Sequence, residues 1–160
     1  MLTENWNNSI EEFIAEANKQ ELEMIMVGGG AVNFHGYQRH SADVDFWINP
    51  SKLNFNKLLS VFQNLGYGIN KFPDSVLKGE QNISLKFSPI HIDIELITRF
   101  SVNKSFEEAF NESEVIEFKN NQKVYRWRVL SLEDLIISKV KSGRPKDLLD
   151  IQELKKINNI

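Results

Sequence analysis

The sequence predicts an α/β domain, with a mixed sheet flanked by helices and a short helical C-terminal end. Three observations carry that reading. Short apolar runs bounded by glycine or proline alternate with stretches of helical periodicity. Asn82–Phe87 with Ile90–Leu96, and Glu114–Phe118 with Val124–Ser131, read as antiparallel strand pairs. Beyond Ser131 the chain carries only helix signals. At 160 residues the chain fits one domain, with its core at about 22–130 and its C-terminal helices at about 131–158.

The elements follow in order. Asn8–Glu21 forms the first helix, with Ile10, Phe13, Ile14 and Ala17 on one face and Ser9 as its cap. Met24–Val27 is a buried strand that runs into Gly28-Gly29-Gly30. Ala31–Gly36 forms a short helix stopped by Gly36. Asp43–Ile48 is the second strand. Pro50 ends it, and Ser51 caps a helix that Gly66 stops. Tyr67–Phe72 is expected as a third strand, and Phe106–Phe110 as a short helix. Lys119–Gln122 turns the second strand pair. Ser131 caps Leu132–Ser142, whose first turn carries Glu133 and Asp134; Gly143 stops it, and Pro145 starts Pro145–Ile157.

Composition narrows the function classes. The chain is 41% hydrophobic and 26% charged, as soluble globular proteins are, with a net charge of -3. That charge offers no broad footprint for nucleic acid, although a local patch is compatible with it. There is no cysteine, hence no disulfide, thiolate metal site or cysteine nucleophile. The expectation is a cytoplasmic protein with no leader and no membrane span. His35, His40 and His91 lack zinc-ligand spacing, and His35 reads as a packing or capping residue.

The chemistry concentrates in Val27–Ile48. Glycines between a strand and a helix let a ligand approach backbone amides, and amides at a helix start favour phosphate. No Gly-Lys-Ser/Thr follows them, and Asn33 stands where a dinucleotide fingerprint needs its third glycine. Asp43 and Asp45 alternate along a strand, so both carboxylates face one way. Such a pair repels itself unless a cation sits between its members, and Mg²⁺ suits carboxylates plus substrate phosphates. On Ile90–Leu96, His91, Asp93 and Glu95 share the face opposite an apolar set. A third carboxylate beside the first two would complete a two-metal site for in-line phosphoryl displacement.

Together, Gly29-Gly30, Asp43-Val44-Asp45, Asp93 and Arg144-Pro145-Lys146-Asp147 resemble the signature of the nucleotidyltransferase superfamily of the DNA polymerase β type. They are most similar to its small bacterial branch of AbiEii-type toxins and lincosamide-type nucleotidyltransferases. The resemblance spans roughly Met24 to Leu154 and implies a nucleotidyltransferase-like fold. It implies that Gly29 and Gly30 hold the triphosphate of an NTP, that Asp43 and Asp45 ligate two Mg²⁺ or Mn²⁺ ions, and that Asp93 completes the catalytic metal site as a third ligand and helps activate the acceptor hydroxyl. Glu95 is the alternative third acid. Many members carry Gly-Ser where this chain has Gly-Gly-Gly-Ala, so a serine contact to phosphate is missing.

Lys139 and Lys146 are the expected triphosphate contacts, with Asp147 orienting one of them. Arg39 either binds phosphate or buttresses Asp45. The implied reaction moves a nucleoside monophosphate to a hydroxyl of tRNA, protein or a small molecule. A partner chain or a second copy is expected to complete the acceptor site, and a toxin–antitoxin role follows from resemblance alone. The alternative is a nucleotide-binding or interaction module of the same fold without catalysis. Tyr125, Trp127 and Val129 alternate with Arg126 and Arg128, which reads as an amphipathic edge strand or a half-basic face for acceptor RNA.

Overall fold

A computed structural model of the chain describes residues 8–39, 43–87 and 92–160. The elements are α1 (Asn8–Lys19), β1 (Met24–Val27), α2 (Gly28–Phe34), β2 (Asp43–Ile48), α3 (Lys52–Asn64) and α4 (Asp74–Leu77). They continue with β3 (Ile83–Leu85), β4 (Asp93–Ile97), α5 (Phe106–Glu112), β5 (Glu114–Asn120), β6 (Lys123–Val129), α6 (Leu132–Ser142) and α7 (Pro145–Asn158). The strands form one mixed sheet in the order β3-β4-β2-β1-β6-β5. Pairing is parallel between β2 and β4 and between β1 and β6, and antiparallel elsewhere. The expected mixed sheet with flanking helices and a helical C-terminal end is the fold observed.

The strands sit where their sequences require. All four residues of β1 are buried, as befits an apolar run flanked by a strand on each side. On β2, Val44, Phe46 and Ile48 enter the core, and Phe46 meets Phe13 of α1 at 6.3 Å between ring centroids. Ile94 and Leu96 of β4 continue that layer. The opposite face of β2 and β4 is polar at its start and aromatic at its end.

Several expectations are corrected. Ser9 lies inside α1 and does not cap it. Gly28, Gly29 and Gly30 form the first turn of α2, so the glycines open the helix and no loop precedes it. Tyr67–Phe72 is no strand. Gly66 and Gly68 interrupt it, Gly66 with φ of 94°, and Phe72 turns inward between Phe55 and Phe62. The edge strand is β5, because β6 lies between β5 and β1. The half-basic face is engaged locally. Arg126 pairs with Glu117, and Arg128 lies 4.2 Å from the Phe110 ring centroid while donating to its carbonyl. The start of the Ile90–Leu96 segment, with His91, and His40 lie outside the described residues.

Candidate active site

The site forms where β1 ends and β2 and β4 begin. Val27, the last residue of β1, stands opposite Asp45. The chain turns there into α2 through Gly28, whose φ is 62°. A Cβ on Gly28 would overlap the Asp45 carboxylate. Glycine is therefore required twice, for left-handed backbone and for the close approach. A Cβ on Gly30 would instead press 2.8 Å from Met26 Sδ, so that glycine serves packing. Gly29 and Gly30 are both buried in the first turn of α2.

The acids come from two adjacent parallel strands in register. Asp43 stands opposite Asp93, and Asp45 opposite Glu95. Neighbouring strands lie about 4.8 Å apart and alternate residues share a face, so Asp43, Asp45, Asp93 and Glu95 form one carboxylate patch. Asp43 is exposed and the other three are half-buried. Burial pushes the Asp45 pKa up to about 6; Asp43 and Glu95 add to the rise, while Lys139 and Lys146 oppose it. Proton affinity raised by burial and by neighbouring carboxylates marks a place where a cation would be welcome.

The two candidates for the third acid differ. Ser84 of β3 donates its hydroxyl hydrogen to Glu95 Oε2. Asp93 Oδ1 is buried and has no hydrogen-bond partner among the described residues. Asp93 thus buries an oxygen without a donor, whereas Glu95 Oε2 is hydrogen-bonded. Among the described residues, no three carboxylate or imidazole side chains are placed to hold a metal ion as they stand. The pair Asp43 and Asp45, with the free oxygen of Asp93 beside it, still suits Mg²⁺. That ion takes one or two carboxylates and fills its remaining positions with water and substrate phosphate oxygens.

A second cluster of charges adjoins the first. Lys139 is 5% exposed, and its Nζ lies 3.0 Å from Asp150 Oδ2 and 3.4 Å from Asp147 Oδ1. Arg39 grips Asp150 with both ends of its guanidinium, at 2.9 and 3.0 Å. Arg144 does the same to Asp147, with Nε 2.7 Å from Oδ2. Burial pushes the Asp147 carboxyl up, but hydrogen bonds from the Arg144 side chain and backbone, with Lys139 nearby, bring it below its usual range.

Arg39 is paired with Asp150. Lys139 is held by two carboxylates yet acts on Asp45 through space, and exposed Lys146 does likewise. Asp147 does orient a lysine, and it is Lys139. His35 is a packing residue: its Nε2 donates to the Leu130 carbonyl at 2.7 Å.

Sequence reasoning missed Gly28 and Asp150. The signal for Asp150 was present, since Asp147 and Asp150 stand three apart and share one face of α7. Nothing in the local sequence separated Gly28 from its two neighbours.

Residues 7–160 match the model of a protein family described as "Nucleotidyltransferase of unknown function (DUF6036)". No curated protein matches the chain. Among the described residues no helix is long and apolar enough to cross a membrane.

Proposed function

The chain belongs to that nucleotidyltransferase family, and from that premise we propose that it transfers a nucleoside monophosphate from an NTP to a hydroxyl acceptor. The observation that carries the proposal is the in-register carboxylate patch, set against a glycine that leaves no Cβ between backbone and Asp45. Asp43 and Asp45 would hold Mg²⁺ or Mn²⁺, which would supply positive charge to offset that of the phosphate groups. Asp93 accepts the acceptor hydroxyl proton through its free oxygen. The acceptor oxygen bonds to the α-phosphorus, and the bond from that phosphorus to the pyrophosphate oxygen breaks. Amides of Gly29 and Gly30 contact the triphosphate. Lys146 supplies positive charge from the start of α7, and Lys139 does so from its ion pairs.

Motif order supports placement in the AbiEii-type and lincosamide-type branch, and a toxin–antitoxin role goes with that placement. The acceptor is RNA, protein or a small molecule, completed by a partner chain or a second copy of this one. One observation favours a second reading, nucleotide binding without catalysis: no three acids are placed to hold an ion among the described residues.

A transfer assay separates the two. Each labelled NTP is offered with Mg²⁺ or Mn²⁺ and mixed RNA and protein acceptors. The proposal expects label on an acceptor with the wild type and at least about a hundredfold less with Asp43→Asn plus Asp45→Asn. Equal transfer by both proteins refutes the assignment. Retained NTP binding with no transfer to any acceptor supports the second reading.

A further inference from the structure

The face that carries the acids continues past them. Trp47 follows Asp45 by two residues on β2, so it shares that face, opposite Ile97 of β4. At about 3.3 Å per residue it stands about 7 Å along the strand from Asp45 and about 13 Å from Asp43. Here the face turns aromatic. Trp47 lies 5.2 Å from Phe100 and 5.0 Å from Phe106, ring centroid to centroid.

Over these rings opens a cleft of about 310 Å³, within the range of pockets that hold small ligands. Trp47 and Phe106 are almost fully buried in its floor, whereas Phe100 is only partly buried and lines it. Two exposed cations, Lys78 and Arg99, stand at its rim. Arg99 Nη2 donates to the Lys78 backbone carbonyl at 3.3 Å, which anchors the Arg99 side chain beside the Lys78 backbone. No acid is among the described residues that line the cleft, in a chain whose net charge is -3. That local excess of positive charge over an aromatic floor selects a ligand with an anionic group and a flat apolar body.

We infer that this cleft is an acceptor-side subsite that binds one nucleotide of a single-stranded RNA. The base stacks on Phe100, and the phosphate lies between Lys78 and Arg99. Ring platforms combined with cations are how single strands are held without sequence readout. Trp47 ties the floor of the cleft to the strand that carries Asp43 and Asp45. The naming of the acceptor rests on the nucleotidyltransferase reading; the binding itself does not.

The test measures binding and leaves catalysis aside. A fluorescein-labelled hexaadenylate is titrated into the full chain without metal or NTP, across a salt series, and anisotropy is read. The Trp47 indole N–H resonance is followed in parallel. The inference expects saturable binding, a shift of the Trp47 resonance, and a salt slope that includes about 0.7 from the one phosphate held between Lys78 and Arg99. Lys78→Ala with Arg99→Ala should weaken binding by about tenfold or more and remove that part of the slope. Phe100→Leu, which keeps apolar volume in place, should weaken binding roughly tenfold and leave the slope unchanged. A failed transfer assay with these binding results intact would count against the enzyme reading and leave the cleft standing. Binding unchanged by the double substitution, or a Trp47 shift produced by a polyglutamate peptide and not by RNA, overturns the inference.

Discussion

Two clusters of charge lie side by side in this molecule, and they are built on opposite terms. The patch on β2 and β4 brings together Asp43, Asp45, Asp93 and Glu95, all of one sign. The cluster around α6 and α7 interleaves Arg39, Lys139 and Arg144 with Asp147 and Asp150. In the first, burial and like charges raise the Asp45 pKa to about 6, and a buried Asp93 oxygen is left without a donor. In the second, each carboxylate is gripped by a guanidinium and the lysine ammonium, and Asp147 is held ionised. A satisfied cluster maintains shape. A cluster of like-charged acids lowers stability and persists where an incoming cation completes it.

The contrast can be broken at its satisfied side, where the largest change is expected. Asp150→Ala leaves Arg39 and buried Lys139 short of their shared carboxylate. Removing one partner of a buried pair costs about 3–5 kcal/mol. In a chain of 160 residues that lowers the thermal midpoint by roughly 10 °C, read by calorimetry. A loss under about 1 kcal/mol would mean that solvent already serves these charges.

A smaller effect tests the junction with the acids. Gly28→Ala meets both a left-handed backbone and the Asp45 carboxylate. It should cost about 1–2 kcal/mol from the backbone alone, and it should displace Asp45 and so reduce transfer. Denaturant unfolding and the transfer assay read the two effects separately. Ser84→Ala removes the donor to Glu95 and should cost about 1 kcal/mol or less, because that contact is exposed. Should Ser84→Ala abolish transfer, Glu95 rather than Asp93 would be the third acid.

How much of this could be read in advance follows from the kind of physics involved. Local signals were legible. Ser51 and Ser131 cap their helices as expected, each accepting a backbone N–H at 3.2 Å, and Pro145 opens α7. Alternation along β2 put Asp43 and Asp45 on one face. What depends on pairing was hidden. That β4 lies parallel to β2, with Asp93 opposite Asp43 and not Asp45, is a fact of register between segments far apart in the chain. Asp147 was legible as a partner for Lys139 or Lys146, but the second carboxylate on Lys139, Asp150 of the next helix, was not. Gly28 could not be told from Gly29 until Asp45 was placed against it. The Tyr67–Phe72 strand failed because Phe72 had a better place between Phe55 and Phe62 than a sheet edge could give it.

The two clusters also titrate in opposite senses. Asp45 binds its proton more tightly folded than unfolded, so its contribution to stability is lost as pH rises from about 4 to about 6. Asp147 is lowered, so its contribution is present above about pH 4 and lost as pH falls through its folded value. Without metal, these two groups together favour a stability maximum near pH 4–5, measurable by thermal melts across a buffer series.

The claim that the like-charged acids form a seat for a cation is tested most directly by the thermal midpoint of Asp45→Asn beside the wild type at pH 7, with and without Mg²⁺ and NTP. A rise of about two pKa units corresponds to up to about 3 kcal/mol at pH 7. Without ligand, the Asn variant should therefore melt several degrees higher than the wild type. With Mg²⁺ and NTP, the wild type should gain and the variant should not. A ligand-free variant that melts at or below the wild type, or a variant that gains as much from Mg²⁺ and NTP, would contradict the account.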